Sequence, residues 1–438
     1  MKYYFKILLL SVGIGCVNLF IFFSLLQFQI VHNSSYVPKE FFPFILILIA
    51  VPIQFLILLL VAHLSKRNEP ALIITSFLFI VTCTLLLWFT SAEERTTYNN
   101  EQVYNTTEKY DYQQGISTPE GYPVKLLSNS RFGISVKGDR NSVTLLETNK
   151  VYSINWGNGD TTFKSSMDGG VAVPDALSLY WYSYLEDKYY GLNTQLDRDK
   201  ISENFKNGFK RDIKGTLTSS DAINAKYNSL IAGIAPGGDV VLWISGGSDT
   251  KELEVFKANE LNRSQLKDYD IVTEDARQKV LKDTCTCEDR PQFRKIVHND
   301  QPIPFGIWSH KYRKKFNWKV SINNFGQSKS ALNFYYFNGE RNTMFNEDLI
   351  NFKFQERVLP DFIKFVFTKD QKKYKAFIEF EEDKLFNAFE KLTENNPNKP
   401  AEIVLNINSD LKQAKIQLKS KDQILELKNL QNVKISLN

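Results

Sequence analysis

Three long uncharged apolar runs fill most of the first ninety residues, and they constrain this chain more than any other feature. The runs cover residues 7–30, 41–62 and 70–90. A helix of about 20 residues crosses the hydrocarbon core of a bilayer, which is about 30 Å thick. A segment in lipid must satisfy its own backbone hydrogen bonds, and a helix does so. The sequence therefore predicts an anchor over residues 1–95 that contains three transmembrane helices.

The first run could instead be a cleaved signal peptide. Lys2 and Lys6 precede it, as basic residues precede the apolar core of a signal, and the segment 13–16 faintly resembles a lipoprotein cleavage site that ends at Cys16. However, the apolar run continues to residue 30. We interpret it as an uncleaved helix.

Basic residues predict the orientation of the anchor. Lys2 and Lys6 precede the first run, and Lys66 and Arg67 lie between the second and third. The loop between the first and second runs has only Lys39. Because lysine and arginine mark the cytoplasmic side, we expect a multi-pass inner-membrane protein with a cytoplasmic N-terminus and a periplasmic C-terminal domain.

The charge balance indicates which partners to expect. The chain has 54 Lys and Arg against 49 Asp and Glu, a formal net charge of +5. A surplus this small over 438 residues gives no electrostatic footprint for nucleic acid. The lipid bilayer is the expected partner, together with an envelope or secreted protein.

Residues beyond the anchor divide by composition into four segments. Residues 96–118 are polar and predict a tether, with ordered structure starting near Tyr122. Residues 119–256 and 301–438 are rich in short apolar segments typical of strands, and residues 257–300 are a polar connector. In the first of these regions Leu177, Leu179 and Trp181 alternate with tyrosines, which is the period of a strand.

An internal repeat is the most informative feature of this region. In each copy a Pro-Asp pair precedes two strands, an acidic helix start and a further strand–turn–strand segment. The first copy contains Pro174, Asp175, Asp197 and Asp199; the second contains Pro360, Asp361, Glu381 and Asp383. The acidic residues are expected to cap the positive end of each helix dipole. The sequence thus predicts an α+β fold, with two related strand-strand-helix-strand-strand units in antiparallel sheets and a cleft between them.

Several stretches carry a family resemblance. They are residues 122–125, 174–190, 234–247, 303–308, 311–318 and 335–339. Together they resemble the bacterial domain-of-unknown-function 2931 family over essentially the whole soluble part. Members of that family resemble secreted lipoproteins, so the resemblance implies a domain held at a membrane outside the cytoplasm. It implies no activity, cofactor or catalytic residue.

One local motif suggests phosphate chemistry. Ser245, Gly246, Gly247 and Asp249 follow an apolar strand and resemble the phosphate loop of ATP pyrophosphatases, in which glycine amides hold a pyrophosphate. Such a loop should open a domain of parallel βα units, whereas here it follows a predicted hairpin. A glycine turn is the alternative interpretation.

Other chemistry has weaker signals. Cys285 and Cys287 are a candidate disulfide, although a single intervening residue strains such a bond. The sequence predicts no catalytic residues, no metal site and no cofactor. Trp181, Trp243, Trp308 and Trp318 are expected in the core. We therefore expect a membrane-anchored, periplasm-facing binding or protein-interaction module; the alternative is a membrane-bound enzyme with a nucleotide or phosphate loop at residues 245–250.

Overall fold

The structure is a computed structural model, and it divides into two compact units. One unit comprises residues 1–107 and 136–140, and the other comprises the rest of the chain. The structure describes residues 2–27, 49, 51–90, 96, 99, 103, 106–134, 143–144, 148–151, 156–158, 161–164, 170–282, 302–323, 330–369, 371–394, 396, 398–408, 414–421, 423–427 and 434–437.

The N-terminal unit contains helices α1 (Lys2–Gln27), α2 (Val51–Leu64) and α3 (Glu69–Thr90). Two segments, Tyr3–Ser24 and Glu69–Leu86, are long and apolar enough to cross a membrane, judged by length and composition. The described part of helix α2 has 14 residues, fewer than a membrane span needs. Most of the first half of the second predicted span lies outside the described residues. The prediction of three transmembrane helices is thus supported for the first and third.

The second unit is rich in strands, and we describe it as an N-terminal half (residues 108–282) and a C-terminal half (residues 302–437). The N-terminal half contains β1 (Lys109–Tyr110), β2 (Gln113–Ser117), β3 (Val124–Leu126), β4 (Arg131–Gly133), β5 (Val143–Thr144), β6 (Thr148–Val151), β7 (Thr161–Lys164), β8 (Val171–Ala172), β9 (Ala176–Ser183), β10 (Lys188–Gln195), α4 (Arg198–Asn207), β11 (Phe209–Arg211), β12 (Ile223–Ala225), β13 (Ser229–Ala235), β14 (Asp239–Ser245), β15 (Thr250–Lys257), β16 (Asn259–Leu261) and α5 (Glu274–Lys282).

The C-terminal half is built in the same way from strands and two helices. It contains β17 (Phe316–Asn323), β18 (Ser330–Tyr336), β19 (Arg341–Met344), α6 (Asn346–Ile350), β20 (Gln355–Arg357), β21 (Pro360–Lys369), β22 (Lys372–Glu379), α7 (Glu382–Thr393), β23 (Ala401–Ile407), β24 (Ala414–Ser420), β25 (Gln423–Glu426) and β26 (Lys434–Leu437). The α+β class is therefore as predicted.

Three larger sheets organise these strands. A ten-stranded sheet of described strands has the order β26-β22-β21-β18-β19-β15-β14-β13-β2-β7 and runs through both halves. The N-terminal half adds a sheet with the path β16-β10-β9-β3-β6, and the C-terminal half adds one with the order β20-β17-β23-β24-β25. The ten-stranded sheet is continuous across the halves at a single β15–β19 residue pair, Thr250 with Arg341.

Strand pairing has the same order in the two halves. In the N-terminal half β2 pairs parallel with β13, which pairs antiparallel with β14, and β14 with β15. In the C-terminal half β17 pairs parallel with β23, which pairs antiparallel with β24, and β24 with β25. Each half also has a hairpin followed by a helix: β9–β10 with α4, and β21–β22 with α7. The amide of Leu196 donates to the Asp175 carbonyl, and that of Phe380 to the Asp361 carbonyl, both at 2.8 Å.

Each half has its own apolar core. Trp181 belongs to the N-terminal core and Trp318 to the C-terminal core, while Trp243 lies in a smaller cluster on the other face of β13 and β14. All three indoles are fully buried, and Trp308 is 5% exposed. The prediction that these tryptophans lie inside the fold is confirmed. Because β14 packs on both faces, all seven of its residues are buried.

Two predicted boundaries differ from the structure. The predicted tether, 96–118, includes β2, whose residues are buried except for Gln113. The polar sequence of β2 does not indicate a strand, and parallel main-chain pairing with β13 stabilises it. The predicted connector, 257–300, begins inside the N-terminal half, because β16 pairs with β10 and the amide of Ser128 donates to the Asp270 carboxylate at 2.9 Å.

Candidate functional site

A cleft of about 780 Å³ lies where the two halves of the β-rich unit meet. The N-terminal half contributes the start of β15, and the C-terminal half contributes β19, β20 and the residues that connect them. We call this cavity the junction cleft. It is lined by residues 249–252, 315, 336, 340–344, 348, 351–353 and 355–358.

The cleft exists because β15 and β19 pair at one point and then diverge. Thr250 pairs with Arg341, and no other β15–β19 residue pair is present among the described residues. Next to this pair, the amide of Glu252 donates to the Glu340 carboxylate at 3.0 Å instead of to a main-chain carbonyl. A side chain thus replaces the next main-chain hydrogen bond of the ladder, and the two strands separate.

Two strand edges face the cleft. Residues 342–344 of β19 pair with β18 on one side, and no described strand pairs with their other side. Strand β20 pairs with β17 and is the outermost described strand of its sheet. Unpaired strand edges offer rows of main-chain donors and acceptors, which pair readily with another extended chain.

A charged network closes one end of the cleft. The Arg313 guanidinium donates to both carboxylate oxygens of Glu252, at 2.9 Å from Nε and 2.7 Å from the second nitrogen. The Asn338 side-chain amide donates to Glu340 at 3.0 Å. Burial raises the pKa of Glu252, although Arg313 opposes that shift. Because both partners of the ion pair are mostly buried, at 16% and 19% exposure, the pair is screened less by solvent than a surface pair.

The turn at residues 337–340 holds the two halves together at this end. The Trp243 indole N–H donates to the Asn338 carbonyl at 3.2 Å. Gly339, at φ +89°, lies against Gly157, and an added Cβ on Gly339 would come within 3.0 Å of the Gly157 Cα. The junction therefore depends on a close main-chain contact that a larger residue would prevent.

Arg357 places a cationic group in the cleft. Its Nε is buried and has no hydrogen-bond partner, while another guanidinium nitrogen donates to Gln355. The guanidinium also lies over the Phe352 ring, 4.4 Å from the ring centroid. Burial lowers the pKa of Arg357 and raises that of the neighbouring Tyr336 to about 12. The guanidinium also interacts with the Tyr336 side chain. A cation at this position would favour an incoming carbonyl or carboxylate, because hydrogen bonds with a charged partner are the stronger ones.

Asp249 lies at the other end of the cleft. Its carboxylate accepts a hydrogen bond from the Tyr227 hydroxyl, and Lys251 lies 5.5 Å from the centroid of the Tyr227 ring. Burial raises the pKa of Asp249, against the opposing effects of Tyr227 and Lys251. Burial also raises the pKa of Tyr227. The sequence-predicted Asp249 is therefore a half-buried acid at the edge of the cleft.

The glycine motif itself is a hairpin turn. Ser245 ends β14 and pairs with Thr250, which begins β15, and their hydroxyls lie 2.8 Å apart. The Gly246 amide donates to the Asp249 carbonyl at 2.9 Å, and the Gly247 amide donates to the Ser245 hydroxyl at 3.2 Å. A strand follows the turn, not a helix, and these two amides are already paired within it. The structure therefore does not favour a phosphate loop here.

The remaining sequence candidates are few. Cys285 and Cys287 lie outside the described residues. Within the described part of the chain, no group of three or more His, Cys, Asp and Glu side chains could hold a metal ion. The predicted cap of the first helix is confirmed, because the Asp197 side chain accepts from the Lys200 amide at 2.9 Å. Glu381 holds the same position before α7 but makes no side-chain hydrogen bond to that helix.

Sequence reasoning did not identify Glu252, Arg313 or Arg357 as site residues. Glu252 and Arg313 are far apart in the sequence, and no local pattern indicates that they pair. The one available signal was the Asn338-Gly339 pair, a common turn dipeptide, within a stretch that carries the family resemblance.

Comparison with known proteins supports that resemblance for part of the chain. No curated protein and no solved structure matched the chain. The part of the chain that matched a family ends before most of the cleft lining. It also ends before two of the resembling stretches, 311–318 and 335–339. That part is residues 96–306, which match the family described as protein of unknown function (DUF2931).

Proposed function

We propose that this chain is a membrane-anchored binding protein whose β-rich unit faces the periplasm and holds an extended polypeptide segment in the junction cleft. The segment would belong to an envelope or secreted protein. The observation that carries the proposal is the pair of strand edges, on β19 and β20, that no described strand covers, beside the half-buried Arg357 guanidinium.

Anchoring is supported by the two N-terminal spans. Only 33% of the first span and 11% of the other is buried within the protein, so most of their apolar surface needs another apolar environment. The basic residues Lys2, Lys6, Lys66 and Arg67 favour a periplasmic C-terminal side. A reporter that is active only outside the cytoplasm, fused after Asn438, should be active. Activity of a cytoplasmic reporter at that position would contradict the orientation.

The shared pairing order supports a common origin of the two halves as copies of one unit. The junction cleft would then lie between the copies, a common place for a ligand. Strand addition suits such a site, because main-chain hydrogen bonds supply affinity while side-chain contacts supply specificity. The lining includes carboxylates and cations in equal number, Asp249, Glu252, Glu340, Asp348 and Glu356 with Lys251, Lys315, Arg341, Lys353 and Arg357. That balance favours a segment of mixed charge.

Site-specific photocrosslinking in cells tests the proposal. A benzophenone amino acid would replace Glu356, on the β20 edge, or Ile424, which is 60% exposed on β25 at the opposite edge of the same sheet. We expect a polypeptide adduct at position 356 and not at 424. The adduct at 356 should fall by about tenfold in Arg357→Gln, because a hydrogen bond to a charged group contributes about 1.5–3 kcal/mol.

The control variant is Lys419→Gln, which removes an exposed lysine from β24, away from the cleft. It should leave the adduct unchanged. Equal adducts at positions 356 and 424, or an adduct at 356 that does not respond to Arg357→Gln, would overturn the proposal.

The enzyme alternative is tested separately. Its candidate residues Ser245 and Asp249 form a hairpin turn with internally paired amides, so ATP with magnesium should leave the thermal stability of the full chain in detergent unchanged. Stabilisation by ATP that Asp249→Asn abolishes would restore the nucleotide interpretation.

A further inference from the structure

A second cavity, of about 280 Å³, lies on the face of the ten-stranded sheet that points away from the C-terminal core. Side chains alternate between the two faces of a strand. Phe365 and Phe367 of β21 therefore enter that core, while Lys364 and Val366 face the other way. We call this cavity the lysine pocket. The polar and charged side chains that line it are Asp212, Asn333, Thr343, Lys364, Lys373 and Lys375.

Three lysines converge in the pocket from one hairpin. Lys364 lies on β21, and Lys373 and Lys375 lie two residues apart on β22, so they share a face. None of the three makes an ion pair with a carboxylate among the described residues. Burial lowers the pKa of Lys364, and the two neighbouring lysines lower it further. The fold thus holds like charges together without compensating them.

The one acidic side chain that lines the pocket, Asp212, is already hydrogen-bonded to the backbone. The Asp212 carboxylate accepts hydrogen bonds from the amides of Gly215 at 2.5 Å, Thr216 at 3.2 Å and Leu217 at 3.0 Å. These bonds shape the loop that forms one wall. A carboxylate whose oxygens already accept three amide donors is poorly placed to neutralise three lysines as well.

The wall also fixes one of the lysines. The Lys373 ammonium donates to the Gly215 carbonyl at 3.0 Å. Gly215 has φ +70°, and a Cβ there would lie 2.3 Å from the Lys373 Nζ. Glycine at this position therefore allows both the turn and the approach of the cation.

The rest of the pocket has polar walls above an apolar floor. The Thr343 hydroxyl donates to the side-chain amide oxygen of Asn333 at 2.9 Å, which fixes the orientation of that side chain. Leu217, Ala331 and Val366 pack together as the floor. Ammonium groups around a small cavity suit a compact oxyanion with several charges.

We propose that the lysine pocket binds a phosphate group, either a soluble phosphomonoester or the phosphomonoester headgroup of a lipid. The geometry that points to it is the convergence of three lysines without ion pairs, beside an acidic residue bound to backbone amides. This proposal is independent of the junction cleft, and either can fail alone.

Thermal unfolding of the full chain in non-ionic detergent, with inorganic phosphate as the probe, tests the site. Phosphate is compared with chloride at equal ionic strength, because simple screening would act equally. Phosphate should raise the unfolding temperature of the native chain and of Lys372→Gln, a control at the exposed start of β22 outside the pocket. In Lys364→Gln/Lys375→Gln the apparent affinity should fall by at least about tenfold.

The folding of the double variant is checked by its own unfolding temperature without phosphate. Removal of like charges should leave that temperature equal or higher, and Lys364→Arg should retain phosphate binding. Equal effects of phosphate and chloride, or equal responses of the double variant and Lys372→Gln, would overturn the site.

The source of the phosphate is distinguished by two further probes. Stabilisation by glycerol phosphate would support a soluble ester. Stabilisation by phosphatidic acid in phosphatidylcholine nanodiscs, without an effect of glycerol phosphate, would support a lipid headgroup. If neither probe stabilises the native chain more than the double variant, the proposal is wrong.

Discussion

At the scale of single residues, Asp249 shows how burial changes the meaning of a motif. The sequence drew attention to it through the glycines that precede it, as a candidate phosphate-loop residue. In the structure its half-buried carboxyl group accepts a hydrogen bond from Tyr227, and partial burial raises its pKa. The hairpin turn sets the position of Asp249 in the cleft. Its hydrogen bond from Tyr227, 22 residues earlier in the sequence, opposes the effect of burial on its pKa.

We predict that Asp249→Asn changes the pH dependence of stability. A raised folded-state pKa means that folding favours the neutral acid. The free energy of unfolding of the native chain should therefore decline as pH rises from the ordinary aspartate value of 3.8 through the raised pKa. Asparagine does not titrate and can still accept from Tyr227, so the variant should gain stability relative to the native chain over that interval.

Denaturant unfolding in detergent, followed by tryptophan fluorescence between pH 4 and pH 8 in about one-unit steps, measures this difference. Asp275→Asn, at an exposed carboxylate in α5, provides the control and should give a difference that varies little with pH. A flat difference for Asp249→Asn as well would mean that its carboxyl group is not desolvated in the folded chain.

At the scale of elements, the two helices that follow the hairpins start differently despite similar acidic sequences. Asp197 accepts from the Lys200 amide at 2.9 Å and so caps α4 with its side chain. Glu381 holds the matching position before α7 but makes no such bond, and pairs with Lys384 instead. The shorter aspartate reaches the free amides of the first turn, as the preference for Asp at this position reflects.

This difference predicts unequal effects of two alanine substitutions. Asp197→Ala should reduce the free energy of unfolding by about 0.5–2 kcal/mol, the usual effect of losing a side-chain cap. Glu381→Ala should change it by less than about 0.5 kcal/mol, because it removes an exposed ion pair. Urea unfolding of both variants checks the order, and equal losses would show that the caps do not differ.

The elements that sequence predicts best have the strongest local patterns. The apolar runs around residues 236–239 predicted the hairpin of β13 and β14, which the structure confirms with continuous pairing. Leu177, Leu179 and Trp181 alternate as predicted and enter the N-terminal core. Strand β2 could not be predicted in this way, because Gln113 and Gln114 are polar and its position depends on parallel pairing with β13, more than a hundred residues away.

The candidate site was less predictable than the elements that surround it. A cleft between two related units follows from their arrangement in sequence, but its lining depends on where β15 and β19 diverge. That divergence is set by Glu340, which takes the place of a main-chain partner of Glu252. Only the folded chain brings these two carboxylates together, so no local spacing could indicate their role.

At the scale of the whole β-rich unit, two separate apolar cores are joined by one strand pair and by loop contacts, such as the packing of Leu217 on Ala331 and Val366. The shared sheet crosses from one half to the other at a single pair of residues, Thr250 and Arg341. The Arg313–Glu252 ion pair and the Trp243–Asn338 hydrogen bond reinforce that joint. We therefore expect the joint to open at lower free energy than either core, as less cooperative regions of proteins do.

Arg313→Ala should weaken the joint and leave both cores intact. The substitution removes a bidentate partner and leaves the mostly buried Glu252 carboxylate uncompensated, which should cost about 2–3 kcal/mol locally. Hydrogen exchange on the full chain should therefore increase in residues 249–252 and 337–344, while amides in β9 and β21 keep their protection. The matched control is Lys319→Ala, which breaks a comparably buried ion pair with Glu402, at 3.1 Å, inside the C-terminal half alone. If Arg313→Ala accelerated exchange throughout both cores, the two halves would unfold as one cooperative unit, and the expectation of a joint that opens separately would be wrong.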